Sequence, residues 1–174
     1  MELHRLICAA GVLILACATA GAAQVGATPA PDVTAALQTC RELTIFDHVT
    51  AHLDNGTLVL SGKVTSGTKR SEVERRVSGE ARASGVAALR NEIAILPPSA
   101  QDDDLRYRVS RAIYGHPAFW SYAAMPRPPI HIIVENGTVT LAGTVSTPIE
   151  RAMAASLATA RAQRPVDNQL AVGR

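Results

Sequence analysis

The sequence predicts an α+β fold made of two small tandem domains, each with the order helix, strand, strand, helix, strand. Three observations lead to this prediction. A twelve-residue segment that begins at Asn55 returns 81 residues later at Asn136, with six positions identical. Apolar residues alternate with polar ones beside the Asn-Gly pair in each copy, as in a strand hairpin. Segments with apolar residues at helical spacing lie on both sides of each hairpin. We therefore expect each domain to form a three-stranded mixed sheet that is covered by two helices.

The composition limits the functions that the chain can have. Its 174 residues include 17 Lys and Arg against 15 Asp and Glu, and this near balance excludes a strongly basic nucleic-acid-binding protein. Hydrophobic residues make up 47% of the chain but aromatic residues only 3%, so the cores are expected to be small. The sequence contains no nucleophile elbow, phosphate-binding loop, zinc signature or paired-cysteine motif. We therefore expect a protein that is not an enzyme, with no catalytic residues, no metal and no cofactor.

The first residues are typical of a secretory signal peptide, which we place at residues 1–23. An apolar run at residues 6–15 is too short to cross a bilayer of about 30 Å, and small residues follow it. This leader predicts export. Two forms of processing remain open: cleavage after Ala23 releases the protein, whereas a lipobox-like cleavage before Cys17 makes a lipoprotein that is anchored through that cysteine. Cys40 is the one other thiol of the exported chain, and its place on an apolar helix stripe predicts burial.

The first domain, called the first unit below, is predicted over residues 31–96. A helix begins at Pro31, and an alternating strand that starts at His48 leads to Asn55 and Gly56. Both of these residues tolerate the positive φ of a type I′ turn. After the returning strand, a second helix is expected at residues 69–84 and a third strand at residues 89–96. The apolar helix positions are Val33, Ala36, Leu37 and Cys40 in the first helix, and Val73, Val77 and Ala81 in the second.

The second domain, called the second unit below, is predicted over residues 102–173. A linker at residues 97–101 precedes it, and its two prolines indicate a hinge. The aspartates at residues 102–104 are expected to cap the first helix and to provide an acidic first turn. Asn136 and Gly137 repeat the hairpin turn. Strands are expected at residues 130–135, 138–145 and 168–172, and the apolar helix positions are Leu105, Val109, Ala112 and Ile113, then Ile149, Met153, Leu157 and Ala160.

The repeated motifs resemble those of a known family. Both hairpins carry Asn-Gly-Thr-x-x-Leu-x-Gly-x-Val, and residues 85–93 read Gly-Val-x-x-Leu-x-Asn-x-Ile after a helix. This order is similar to the BON domain of bacterial envelope proteins, and the resemblance covers both units. The chain departs from the pattern at residues 164–168, where the glycine is absent and the connection is shorter, so the last strand is expected to be short. The resemblance implies a periplasmic protein or outer-membrane lipoprotein that attaches to phospholipid, often anionic, and serves envelope integrity or stress.

Aromatic residues are concentrated in one segment, where five of the six lie between Tyr107 and Tyr122. On a helix, Tyr107, Arg111 and Tyr114 lie opposite the apolar stripe. Tyrosine and tryptophan suit the boundary between water and lipid, and arginine suits lipid phosphates. We therefore predict that the second unit docks on a phospholipid surface. The candidate lipid-binding or partner-binding residues are Tyr107, Arg108, Arg111, Tyr114, Phe119, Trp120, Tyr122 and Arg127.

Alternatives to this interpretation stay open. Phe119 and Trp120 could instead fold back and cap the sheet. The same face could also bind another envelope protein or a cell-wall polymer, whereas export argues against nucleic acid as a partner. His48 and His52 lie about 13 Å apart along one strand face, too far to share a metal ion, and we interpret them as solvated side chains.

Overall fold

The computed structural model describes residues 31–86 and 88–173 of the chain. The predicted signal peptide and the lipidation candidate Cys17 lie outside the described residues. Within the described part, no helix combines the length and the apolar character that a membrane span requires. The described residues form two units of helices and strands, which confirms the predicted α+β class.

The first unit contains a three-stranded mixed sheet with the strand order β1-β2-β3. β1 and β2 are antiparallel, whereas β2 and β3 are parallel because α2 connects them. The helix positions predicted to face inward at Val73, Val77 and Ala81 are buried, and they share one apolar core with Val33 and Cys40. The elements are α1 (Pro31–Gln38), β1 (His48–Asp54), β2 (Thr57–Val64), α2 (Gly67–Ala83) and β3 (Ala88–Ile95).

The second unit repeats this order, with a helical insertion before its hairpin and a divided last strand. Leu170 is turned into the core with 2% of its surface exposed, and it interrupts the pairing between two strands of two residues each. The prediction of one continuous last strand is therefore wrong, whereas the prediction that this strand is short is confirmed. The elements are α3 (Ala100–Tyr114), a 3-10 turn (Pro117–Phe119), α4 (Trp120–Ala123), β4 (Ile130–Glu135), β5 (Thr138–Val145), α5 (Pro148–Ala162), β6 (Asp167–Asn168) and β7 (Ala171–Val172).

Both hairpins turn on an Asn-Gly pair, as predicted. The φ angles are 47° at Asn55 and 79° at Gly56, and they are 52° at Asn136 and 75° at Gly137. Two successive positive φ values define the type I′ turn, whose twist matches that of the strands it joins. The local chemistry of these four residues therefore sets the hairpins in both units.

The helix α5 buries a different face from the one its large apolar residues predict. Ala154 and Ala158 are fully buried, whereas Ile149 is 73% exposed. Met153 and Leu157 are half-buried at the margin of the core. Alanines let α5 approach α3 closely, so the smallest side chains occupy the centre of the helix pair. Thr147 and Glu150 form a capping box at the start of the helix.

The two units contact each other through the segment that precedes β1. The amide of Ile132 in β4 donates a hydrogen bond of 2.7 Å to the carbonyl of Ile45. Phe46 packs edge-on against Tyr107 of α3, with ring centroids 5.3 Å apart. Lys63 and Glu135 also form an ion pair between the units. The described units therefore share an interface, and only residues 96–99 lie between β3 and α3.

Candidate functional site

An exposed stripe on α3 is the part of the candidate surface that the structure retains. Tyr107 and Arg111 are exposed and lie four residues apart, on one face of the helix. The same face ends at Gly115, whose carbonyl accepts a hydrogen bond of 3.3 Å from the Trp120 indole. Tyr107 and Trp120 are each 61% exposed. Tyr107, Arg111 and Trp120, called the α3 stripe below, therefore bring two aromatic rings and one guanidinium group to the protein surface.

Phe119 and Tyr122 do not belong to this surface, which corrects the predicted set of binding residues. Phe119 is fully buried and Tyr122 is 7% exposed. The Tyr122 hydroxyl lies 2.7 Å from the Ser146 hydroxyl and donates to Glu150. The insertion before β4 thus supplies two aromatic side chains to the core of the second unit. The alternative prediction is that Phe119 and Trp120 fold back and cap the sheet. Phe119 is buried in this way, but Trp120 is not.

The remaining candidates make contacts within the protein. Tyr114 is half-buried, and its hydroxyl donates to the carbonyl of Ile130 at 2.5 Å. Burial raises the pKa of this phenol above its ordinary value, although the bond to Ile130 opposes the shift. Arg108 is exposed but pairs with Asp104 at 3.0 Å. Arg127 donates to the carbonyl of Cys40 at 2.7 Å and so links the two units.

Two buried charged residues of α3 were not identified from the sequence. Asp102 is 4% exposed, and its carboxylate accepts the amides of Asn136 and Gly137 at 2.9 and 2.8 Å. Arg106 is 3% exposed and donates to the Val134 carbonyl at 2.6 Å. The prediction that the aspartates cap α3 is wrong. Ser99 is the cap, and its hydroxyl accepts a hydrogen bond from the amide of Asp102. Asp102 and Arg106 therefore attach α3 to the hairpin.

Asp47 is a third buried charge, and its contacts hold the segment before β1 against the start of α2. Its carboxylate is 1% exposed and accepts bonds from Lys69 at 2.6 Å and from the amides of Thr44 and Thr65. Burial by itself raises the pKa of Asp47. The Lys69 ammonium group and the donors of Thr44 and Thr65 outweigh burial and hold this pKa below its ordinary value.

The substitution Asp47→Asn is expected to lower the free energy of unfolding at pH 7 by about 3 kcal/mol, because it leaves the Lys69 ammonium group without its partner. A carboxyl with a lowered pKa stabilises the fold above its unfolded pKa of about 4, and the contribution is lost as the pH falls through the folded value. Urea unfolding at neutral and acidic pH measures both effects. The exposed Asp104→Asn serves as the control, with an expected loss below about 1 kcal/mol. Equal losses in the two variants would contradict the role of Asp47.

A cleft of about 1080 Å³ lies between the units. Its walls are mostly apolar, and two histidines from different units meet inside it. The rings of His48 and His131 have centroids 5.1 Å apart, and both side chains are half-buried. The interpretation of His48 as a solvated side chain is therefore wrong. Strand alternation indicates which face His48 occupies, but no local pattern indicates that His131 covers that face.

The described residues contain no cluster of three or more His, Cys, Asp and Glu side chains arranged to hold a metal ion. Cys40 is the single cysteine in this part of the chain, and it is buried as predicted. Burial raises the pKa of its thiol, and the neighbouring Glu42 carboxylate raises it further. A raised pKa lowers the fraction of the reactive thiolate, so Cys40 is an inert core residue.

The solved structures that are similar to the chain include two of CdsD, a structural protein of the Type III secretion system of Chlamydia trachomatis. The first, of its C-terminal domain, is 18% identical with a TM-score of 0.31, and the match covers 82% of this chain. The chain spans 63% of the length of that first structure. The second is 16% identical with a TM-score of 0.28, and the match covers 83% of this chain and 92% of the other. No curated protein matches the chain.

The comparison with protein families gives one match, to the BON domain, over residues 101–174. The matched segment begins within the first turn of α3 and includes all later strands and helices of the second unit. The resemblance drawn from the hairpin motif is therefore confirmed in this unit. The match does not extend to the first unit, although its elements follow the same order. The second unit of this chain is thus the part that is similar to the BON domain family.

Proposed function

We propose that this protein is a non-enzymatic binding module of the bacterial envelope, which docks reversibly on phospholipid surfaces through its second unit. The observation that supports this proposal is the α3 stripe. It places the exposed ring of Tyr107 and the exposed Arg111 on one face of α3, and the exposed ring of Trp120, the first residue of α4, beside the end of that helix. The BON domain supports the location in the envelope, and the proposed role there is in envelope integrity or stress.

The chemistry of the α3 stripe suits the surface of a bilayer. The rings of Tyr107 and Trp120 are apolar and carry a polar group at one edge, as do the residues that gather at membrane interfaces. Among the residues that the structure describes, Arg111 forms no ion pair, so its guanidinium group is free to bind a lipid phosphate through paired donors. Arg108 lies beside it but is partly neutralised by Asp104.

The affinity of such a surface is modest, which makes docking reversible. One arginine near an anionic bilayer contributes about 1 kcal/mol, and this contribution falls as salt screens the charges. An acyl chain on Cys17 would add a second modest contribution, because stable attachment requires two signals that act together. In the absence of that chain, the protein would bind and leave the membrane surface freely.

The double substitution Arg111→Gln with Trp120→Ala tests the proposal. Its affinity for vesicles of phosphatidylcholine and phosphatidylglycerol is expected to fall by about tenfold or more, since one arginine contact and one interfacial ring are lost. Cosedimentation measures binding, and thermal melting should show little change because both residues are exposed. Binding of the unchanged protein is expected to weaken as salt rises and as phosphatidylglycerol is withdrawn.

The exposed Arg161 of α5 provides a matched control, and Arg161→Gln is expected to bind vesicles as the unchanged protein does. Equal binding of the double variant and the unchanged protein would show that the α3 stripe is not the docking surface. No binding of the unchanged protein to either kind of vesicle would favour the alternative partner, an envelope protein or cell-wall polymer.

A further inference from the structure

The two units meet at a pair of imidazole rings. His48 is the first residue of β1, and His131 is the second residue of β4. Their ring centroids are 5.1 Å apart and the rings are tilted by 47°. Each ring belongs to a different unit, so the contact exists only while the units are packed together. Any charge that both rings acquire acts directly on this packing.

The charged groups around the pair offer little compensation for a second positive charge. The Asp47 carboxylate, whose charge favours protonation of His131, already accepts bonds from Lys69, Thr44 and Thr65. On the other side, the Arg127 guanidinium group lines the same cleft and adds positive charge. Lys63, which is paired with His48 across β1 and β2, forms its ion pair with Glu135. Within the described residues, no carboxylate forms a hydrogen bond to either imidazole.

The rest of the interface consists of a small number of separate contacts. Besides the histidines, it includes the hydrogen bond from Ile132 to Ile45, the bond from Arg127 to Cys40, and the ring contact of Phe46 with Tyr107. The ion pair of Lys63 with Glu135 is partly exposed and contributes little. An interface of this kind is opened by changes of a few kcal/mol.

We propose that the contact between His48 and His131 is an acid-sensitive latch, which holds the two units together while the rings are neutral and releases them when both are protonated. Two like charges about 5 Å apart in a half-buried cleft repel each other strongly. Separation lets water solvate both imidazolium groups. The neutral rings, by contrast, pack against each other without such a cost.

The direction of the titration agrees with this geometry. Burial, together with the positive charge of His131, lowers the pKa of His48 to about 4. Burial also lowers the pKa of His131. Hydrogen bonds with backbone groups of Asp47 and Thr44 and the charge of the Asp47 carboxylate oppose this shift only in part. An imidazole in water has a pKa of about 6.5, so the closed form binds fewer protons than the open form. The closed form is therefore fully favoured above about pH 6.5 and loses stability as the pH falls towards 4.

Small-angle X-ray scattering of the protein from about pH 7.5 to about pH 4.5, with EDTA present and ionic strength constant, tests the latch. The radius of gyration is expected to rise as the pH falls. At pH 5 the shift of His48 alone moves the equilibrium between closed and open forms by about 30-fold. Circular dichroism on the same samples should show that each unit stays folded. The double variant His48→Gln with His131→Gln, which cannot be protonated there, is expected to keep a constant radius.

The control is His52→Gln, a histidine of the same strand that should leave the acid response unchanged. If the double variant is unstable at neutral pH, either single variant serves, because one remaining histidine should weaken the response. A radius that does not change in the unchanged protein would overturn the proposal. So would an equal expansion of the histidine variants, or an expansion that coincides with loss of the circular dichroism signal.

Discussion

Replacing Phe119 with alanine is expected to lower the free energy of unfolding by about 3–5 kcal/mol. Phe119 has the largest fully buried side chain among the described residues. Its ring centroid lies 6.1 Å from that of Tyr122 and 6.3 Å from that of His116. Alanine would leave a cavity in the core of the second unit, and the surrounding residues can fill that cavity only in part. Urea unfolding followed by circular dichroism measures the loss.

Trp120→Ala is the matched control, because Trp120 follows Phe119 in the chain but is 61% exposed. Its one side-chain hydrogen bond, to Gly115, is close to the surface, so the expected loss is below about 1 kcal/mol. The two variants thus separate the structural and surface roles of one short segment. Comparable losses from the two substitutions would contradict the assignment of Phe119 to the core.

The substitution Gly143→Ala is expected to destabilise the second unit by about 4 kcal/mol, as backbone strain and overpacking add together. Gly143 has a φ of 108°, which an alanine adopts only with strain. A Cβ atom there would also lie 1.9 Å from the carbonyl oxygen of Pro129, the acceptor of the Thr144 amide. The neighbouring backbone would have to move, and the entry to β4 would be disturbed. Thermal unfolding checks the expected loss.

Gly79→Ala serves as the control, because it is expected to stabilise the protein rather than destabilise it. Gly79 lies on the exposed face of α2, where a Cβ atom would meet no other atom within 4 Å. Alanine favours a helix over glycine, so this variant should be stabilised by about 0.5–1 kcal/mol. A Gly143→Ala variant as stable as the unchanged protein would show that the strand tolerates a side chain at this position.

Replacing the corresponding glycine of the first unit, Gly62, with alanine is expected to destabilise that unit in the same way. The cause also explains why the repeated motif has a glycine at this position. Gly62 has a φ of 128°, and a Cβ atom there would lie 2.1 Å from the carbonyl oxygen of His48. Gly62 and Gly143 occupy the same position of the motif. The repeat in the sequence shows that a glycine recurs at this place. The reason, a close approach of the preceding strand, is visible only when the strands are paired.

Local sequence signals predicted the secondary structure with few errors. Strands β4 and β5 have the predicted bounds, and the helix that was expected at residues 69–84 is α2 at Gly67–Ala83. These elements depend on periodicity and on turn residues that act over short distances. The error in α5 has a different origin. Ile149 fits the helical stripe by spacing, but the close packing of two helices favours Ala154 and Ala158 at the contact.

The candidate binding site was predicted less well, because aromatic composition does not indicate which ring faces inward. Phe119 and Trp120 are adjacent in the chain and have similar apolar character, yet one is buried and the other is exposed. The deciding factor is tertiary packing, because Phe119 lies in the core of the second unit against Tyr122, whereas Trp120 lies outside that core. Tyr122 also belongs to this core, and its hydroxyl bonds to Ser146 and Glu150.

The sequence by itself determined the repeat, the hairpin turns, the apolar faces of most helices and the family of the second unit. These features depend on the conformational preferences of neighbouring residues. The tertiary structure alone decided that His48 meets His131 and that Asp47, Asp102 and Arg106 are buried with their partners. Such contacts join residues that are far apart in the chain, and their energies depend on desolvation, which exists only once the units have packed.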